Sequence, residues 1–252
     1  MPVIFVGHGS PMNAIEDNRF SQGWRQIADM IPKPKAILSV SAHWLTRGTK
    51  VLTVPNPKTI HDFYGFPPEL YAVEYPAPGN PQLAEEALTL LGEAANADTG
   101  WGLDHGTWSV LRVMYPDAGI PVFQVSLDRL ATEQEHFDIG ARLKLLRERD
   151  VLIMGSGNVV HNLGILDFSL DGGFDWAYEF DDFITGRIIE KNYADILQYR
   201  NLNAAAGLAV PTTEHFDPLF YVLGAVDETD TVTVHNKACM AGSVSMTTYI
   251  FA

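Results

Sequence analysis

Three short apolar runs, each broken off by glycine or serine turn chemistry that leads to a histidine, constrain this chain most. Val3-Ile4-Phe5-Val6 runs into Gly7-His8-Gly9-Ser10-Pro11. Ala36-Ile37-Leu38-Ser39-Val40 runs into Ser41-Ala42-His43-Trp44. Val151-Leu152-Ile153-Met154 runs into Gly155-Ser156-Gly157-Asn158 and reaches His161. Runs of this length and β-branched content fit buried strands. The glycines and serines that follow are turn formers, so the histidines sit where strands end. Between the runs the apolar spacing turns helical, at Phe20, Trp24, Ile27 and Ile31 for example, over a helix from Asp17 to Met30 that Pro32 and Pro34 close. Strands alternating with helices predict an α/β fold with a central, mostly parallel sheet flanked by helices on both faces. Ligands of such sheets bind beyond the carboxyl ends of the strands. His8, His43 and His161 are thereby delivered towards one edge, and His215 opens a later helix.

The remaining elements follow the same grammar. Lys50 to Val54 reads as a third strand, and Pro81 to Ala95 as a helix. Thr107 is placed to cap a short helix through Tyr115. Val122 to Leu127 is a buried strand. Thr132 and Glu135 form a capping box that starts a helix to about Arg149. Trp176 to Tyr193 reads as a long helix, with helical character continuing to Leu208, and Phe216 to Ala225 as another helix. Thr231 to Val234 and Ser243 to Phe251 are late strands, the last alternating and expected near an edge. No repeat, low-complexity tract or linker divides residues 1–252, so a single catalytic domain is expected. Residues 55–80 stand apart: six prolines alternate with Phe63, Tyr64, Phe66, Tyr71 and Tyr75. A loop this long is a candidate lid with an aromatic wall, or else a surface loop anchored by its aromatics.

Composition excludes several partners. The formal net charge of −14 argues against nucleic acid and anionic membranes, which need clustered Lys and Arg. No apolar run is long enough to span a bilayer, and the first residues carry no basic, apolar leader. The one cysteine, Cys239, allows no internal disulfide and suits a reducing, cytoplasmic setting. It also excludes a cysteine-rich zinc site, so any metal must rest on histidines and carboxylates. Each strand-end histidine alone could be a hydrogen-bonded structural residue. Two at matched positions, His8 and His43, with His215 as a third, point to a shared metal. His161 is a fourth ligand or an acid–base group. His105, beside Asp104, is either a proton donor near the site or a structural hydrogen bonder. His61, His136 and His235 are expected to be structural, with His136 on a solvated helix face. The Gly-x-Gly at 155–157 has Val160 where a dinucleotide fingerprint needs glycine, so no nucleotide is expected there.

Five motifs in order along nearly the whole chain carry a resemblance. They are Gly7-His8-Gly9-Ser10-Pro11-Met12-Asn13, Ser41-Ala42-His43-Trp44, Leu103-Asp104-His105-Gly106-Thr107-Trp108, Gly155-Ser156-Gly157-Asn158 with His161-Asn162-Leu163, and Glu214-His215-Phe216 with Pro218-Leu219. Together they resemble the class III extradiol ring-cleavage dioxygenases, in the branch that opens DOPA. The resemblance implies that O2 cleaves a catechol beside a hydroxyl-bearing carbon at one divalent, His-bound, non-haem metal. The implied ligands are His8, His43 and His215. His161 is implied as the acid–base residue or a further ligand, and His105 as a residue near substrate. The wider class uses two histidines and a carboxylate. Here His215 stands at the third position with Glu214 beside it, so Fe(II) for turnover and Zn(II) in the resting protein are both expected metals. A zinc hydrolase, and a binding protein that keeps the fold without turnover, are the rival readings. Hydrolysis without O2 would mark the first, and a folded pocket without turnover the second.

Overall fold

The computed structural model describes all residues 1–252. Six strands form the central sheet: β1 (Val3–Gly7), β2 (Ala36–Ser41), β3 (Val122–Gln124), β4 (Val151–Gly157), β5 (Val232–His235) and β6 (Thr248–Phe251). Their order is β3-β2-β4-β1-β6-β5. The first four run parallel, and β6 returns antiparallel between β1 and β5. Six helices matter for packing: α1 (Arg19–Met30), α2 (Pro81–Leu91), α3 (His105–Met114), α4 (Glu133–Leu143), α5 (Asp175–Ile189) and α6 (Pro218–Ala225).

Strand side chains alternate between two cores. Val3 and Phe5 face a cluster shared with α2, α4, α5 and α6, while Ile4 and Val6 face one shared with α1 and α3. The expected doubly covered sheet is therefore present, and its central strands are buried on both faces. Each fully buried large apolar side chain contributes roughly 1.5–3 kcal/mol. No helix is long and apolar enough to cross a membrane.

Several boundaries differ from expectation for identifiable reasons. Asp104, not Thr107, caps α3: its carboxylate accepts the Thr107 N–H at 3.2 Å, so the helix begins at His105. The helix opened by Thr132 ends at Leu143 and tightens into a 3₁₀ segment, Lys144–Arg149, closed by Asp150 in the left-handed region. The helical stretch to Leu208 breaks after α5, where Lys191 takes a φ of 56° and Asn192 caps a new turn. Only short turns follow. The third-strand segment, Thr49–Leu52, pairs with Ala95–Asp98 outside the central sheet. Ser243 to Phe251 splits into Val244–Ser245 and β6. All of β6 is buried, one strand in from the edge that β5 forms, because both sheet faces are covered there.

His136 is buried rather than solvated. Its Nδ1 lies 3.2 Å from the Tyr221 hydroxyl and its Nε2 3.7 Å from Asp217 Oδ2. The helix face that carries it packs on α6, where Gly140 and Gly224 leave no room for extra atoms between the backbones. Burial pushes its pKa down to about 4. An unfolded chain takes up that proton below about pH 6.5. His136 therefore withdraws stability as pH falls from about 6.5 to about 4, on the order of 3 kcal/mol in full, and has no such effect above that window. Thermal melts across the window should show a shallower acid slope for His136→Gln than for wild type. Equal slopes would refute the assignment.

Candidate active site

Sheet register brings the histidines together. Gly7 of β1 pairs with Gly157 of β4, and Ser156 of β4 pairs with Ser41 of β2. The three carboxyl ends are level, so His8 and His43, one and two residues further on, emerge at the same edge. His215 arrives from the other side, just before α6. The His215 carbonyl accepts the Asn158 N–H at 2.8 Å. A Cβ on Gly157 would collide with that carbonyl, and one on Gly155 would collide with the Pro218 backbone. The Gly-Ser-Gly sequence is thus a close-approach device that seats His215 against β4.

One ring nitrogen from each of His8, His43 and His215 lies within 4.8 Å of the others. The groups behind the rings are acceptors that face the Nδ1 atoms. Ser156 donates its single hydroxyl proton to the Gly106 carbonyl, so it accepts from His8 Nδ1 at 3.0 Å. His43 Nδ1 sits 3.2 Å from Asp62 Oδ2, and His215 Nδ1 sits 3.3 Å from Glu214 Oε1. With the proton on each Nδ1, facing its acceptor, each Nε2 keeps its lone pair. The Nε2 atoms of His8 and His43 face each other at 3.2 Å. Two lone pairs at that distance repel unless a cation lies between them, and such Nδ1 partners are the usual support of metal-bound histidine. The donor set fits a divalent metal.

The electrostatics agree. Burial, reinforced by neighbouring imidazoles, holds the pKa values of His8 and His215 well below the usual range. Burial and then His105 push His43 down to about 3, against the opposing charge of Asp62. Burial takes His161 down to about 4, with Glu214 opposing. All four rings are neutral near pH 7 and free to act as ligands or proton acceptors. Burial alone would raise Asp62, but hydrogen bonds from His105 and the charges of His105 and His43 bring it below its ordinary value.

His161 and His105 flank this group. The His161 ring stacks on His215 at 3.5 Å and 9° and does not share the three-nitrogen cluster; it approaches Glu214 and His215 instead. His105 opens α3 with its ring centroid 3.8 Å from that of His43. His61 turns away to bond the Val73 carbonyl at 2.9 Å, and His235 lies on the edge strand. Neither carboxylate joins the shared nitrogens: Glu214 and Asp62 sit behind the rings.

His8, His43, Asp62, His105, His161 and His215 line a cavity of about 480 Å³. Phe63, Tyr64 and Phe66 of the proline-rich loop, with Leu163, Leu166 and Phe168 opposite, form much of its apolar wall. The loop is thus a wall over the site. Tyr75 is not part of it: that ring is buried and bonds the Tyr115 carbonyl at 3.1 Å. Sequence reasoning missed Asp62 and Ser156 as site residues. Both stood inside stretches already singled out, but nothing in their spacing says which histidine each would meet.

Comparisons with known proteins point the same way. Residues 2–251 match the family model described as the catalytic LigB subunit of aromatic ring-opening dioxygenase. The chain is 41% identical to an Escherichia coli K12 protein named 4,5-DOPA dioxygenase extradiol, over 98% of this chain and 93% of that one. It is 37% identical to a Beta vulgaris protein of the same name, over 98% and 95% of the two chains. A crystal structure of an uncharacterized Escherichia coli K12 protein superposes with a TM-score of 0.87 at 37% identity, covering 100% of both chains. An oxygenase of this kind uses a non-haem metal, a small-molecule substrate and O2, and the three facing imidazoles are a candidate site for the metal. This chain belongs to the class III extradiol dioxygenases, and it is an aromatic ring-opening enzyme.

Proposed function

We propose that the substrate is a catechol of the DOPA type, opened beside one of its hydroxyl-bearing carbons, and that one divalent metal is held by His8, His43 and His215. The observation that carries the metal assignment is the 3.2 Å approach of the His8 and His43 Nε2 atoms, with the Nδ1 atoms facing Ser156 and Asp62. The metal of turnover is Fe(II), and Zn(II) is expected to bind the same nitrogens. When bound, it supplies charge stabilisation and brings the aromatic diol and O2 together. The substrate class is supported by the printed names of the relatives and by the apolar wall, against which a benzene ring packs well. No Lys or Arg lines the cavity, so the charged end of an amino-acid substrate would face the open mouth.

The chain's own groups would handle the protons. His161 starts neutral and can accept a catechol hydroxyl proton at a ring nitrogen, then return it to the departing oxygen. His105, at the start of α3, would orient the ring from the opposite side. Phe63, Phe66 and Phe168 would exclude water from it. Residues 1–252 would act as a single catalytic domain. The proposed compartment is the cytoplasm, which the single buried Cys239 suits.

The test is anaerobic loading with Fe(II), followed by O2 and a panel of catechols. A coloured ring-opened product with matching O2 uptake is expected. Intact catechol with no O2 uptake would overturn the proposal, and ester hydrolysis by the zinc-loaded chain would favour a hydrolase instead.

A further inference from the structure

Asp62 belongs to the proline-rich loop, yet it reaches in behind the rings of the histidine cluster. Its Oδ2 lies 3.2 Å from His43 Nδ1. Its Oδ1 accepts the backbone N–H of His105 at 2.9 Å and lies 3.0 Å from His105 Nδ1. The next residue, Phe63, places its ring edge-on to His105 with centroids 5.5 Å apart, and also packs on Phe66 and Trp108. A single carboxylate thus spans a candidate ligand, the first residue of α3 and the aromatic wall. Neither oxygen is spare, and the side chain is mostly shielded from water.

We propose that Asp62 is a positioning residue that couples the loop to the metal centre, by holding His43 Nδ1–H on one oxygen and the start of α3 on the other. The inference rests on the reading of His43 as a metal ligand. An imidazole whose Nδ1–H is taken by a carboxylate presents Nε2 as a lone pair in a fixed direction and is the more basic for it. Without that acceptor the His43 ring can turn about its Cβ–Cγ bond or adopt the other tautomer, and Nε2 no longer faces His8. The coupling also runs in reverse. Fixing His43 in the centre fixes Asp62, and Asp62 carries Phe63 with it. Metal binding should therefore order the loop that covers the substrate.

The discriminating variant is Asp62→Asn. Asparagine has the same shape and one carbonyl oxygen, so it can still accept either the His43 or the His105 hydrogen. Whichever way it turns, its amide nitrogen replaces the other oxygen and meets a donor. Zn(II) affinity, measured by competition with a chromogenic chelator, should fall about 10–100-fold, the usual loss when a supporting partner of a metal ligand is removed. Far-UV circular dichroism of the metal-free variant should match wild type, with its melting temperature lowered by only a few degrees. Limited proteolysis within residues 55–80 should slow on Zn(II) addition in wild type and not in the variant. If the asparagine variant does not fold, Asp62→Ala, which removes both acceptors and adds no donor, supports the same two comparisons. An affinity within about twofold of wild type, or equal Zn(II) protection of the loop in the two proteins, would reduce Asp62 to a loop anchor and overturn the proposal. Wild type that takes up no Zn(II) would instead overturn the metal site itself.

Discussion

Replacing His8 or His43 with alanine should leave the chain folded and almost free of metal. Each contributes one of only three nitrogens that meet at the centre. Removing a partner behind a ligand already costs about 10–100-fold in affinity, so removing the ligand itself should cost more. The fold should survive because both residues lie just beyond the paired carboxyl ends of their strands, outside the sheet's own ladder. Deleting either also relieves the facing lone pairs at 3.2 Å, so the metal-free variant should not melt far below metal-free wild type. Metal content per chain after loading and desalting, measured by atomic emission with the melt as fold control, decides the matter. Full occupancy in either variant would sink the assignment. The same variants should lose ring cleavage with the metal, while Ser156→Ala, which removes the partner of His8 Nδ1 together with the hydrogen bond to the Gly106 carbonyl, should show an intermediate loss.

The second large effect is expected at His161, and it differs in kind. Its ring lies flat on His215 and outside the three-nitrogen cluster, so His161→Ala should keep its metal and bind catechol as wild type does. Turnover should drop by about 10²–10⁴, the usual worth of a positioned proton-transfer group. Metal content and O2 uptake have to be measured on the same Fe(II)-loaded samples. Metal lost together with activity would make His161 a fourth ligand. Metal retained with unchanged O2 uptake would remove it from the chemistry. Burial keeps this ring neutral down to about pH 4, so its readiness to accept a proton should not vary between pH 6 and 8. A sharp change of the His161-dependent rate in that range would point to another group.

What could be read from the chain alone is what depends on near neighbours. Apolar runs of four or five residues ending in Gly-His-Gly or Ser-Ala-His announce strands that stop at histidines. Parallel pairing of such strands then places His8 and His43 at one edge, because ligands of open sheets collect there. The five motifs in order carried the family. Tertiary structure decided whatever depends on partners far apart in sequence. His8 Nδ1 meets Ser156, 148 residues away, and His43 Nδ1 faces Asp62, a loop carboxylate with no sequence mark of that contact. His136 looked solvated because its polarity was visible and the helix packed over it was not. His161 could be delivered to the site by its strand, but only the packing of the loop before α6 laid its ring on His215, outside the nitrogens shared by His8, His43 and His215. Periodicity is a property of the local backbone, which repeats every two or 3.6 residues. A hydrogen bond's direction is a property of two side chains that the chain brings together only when it folds.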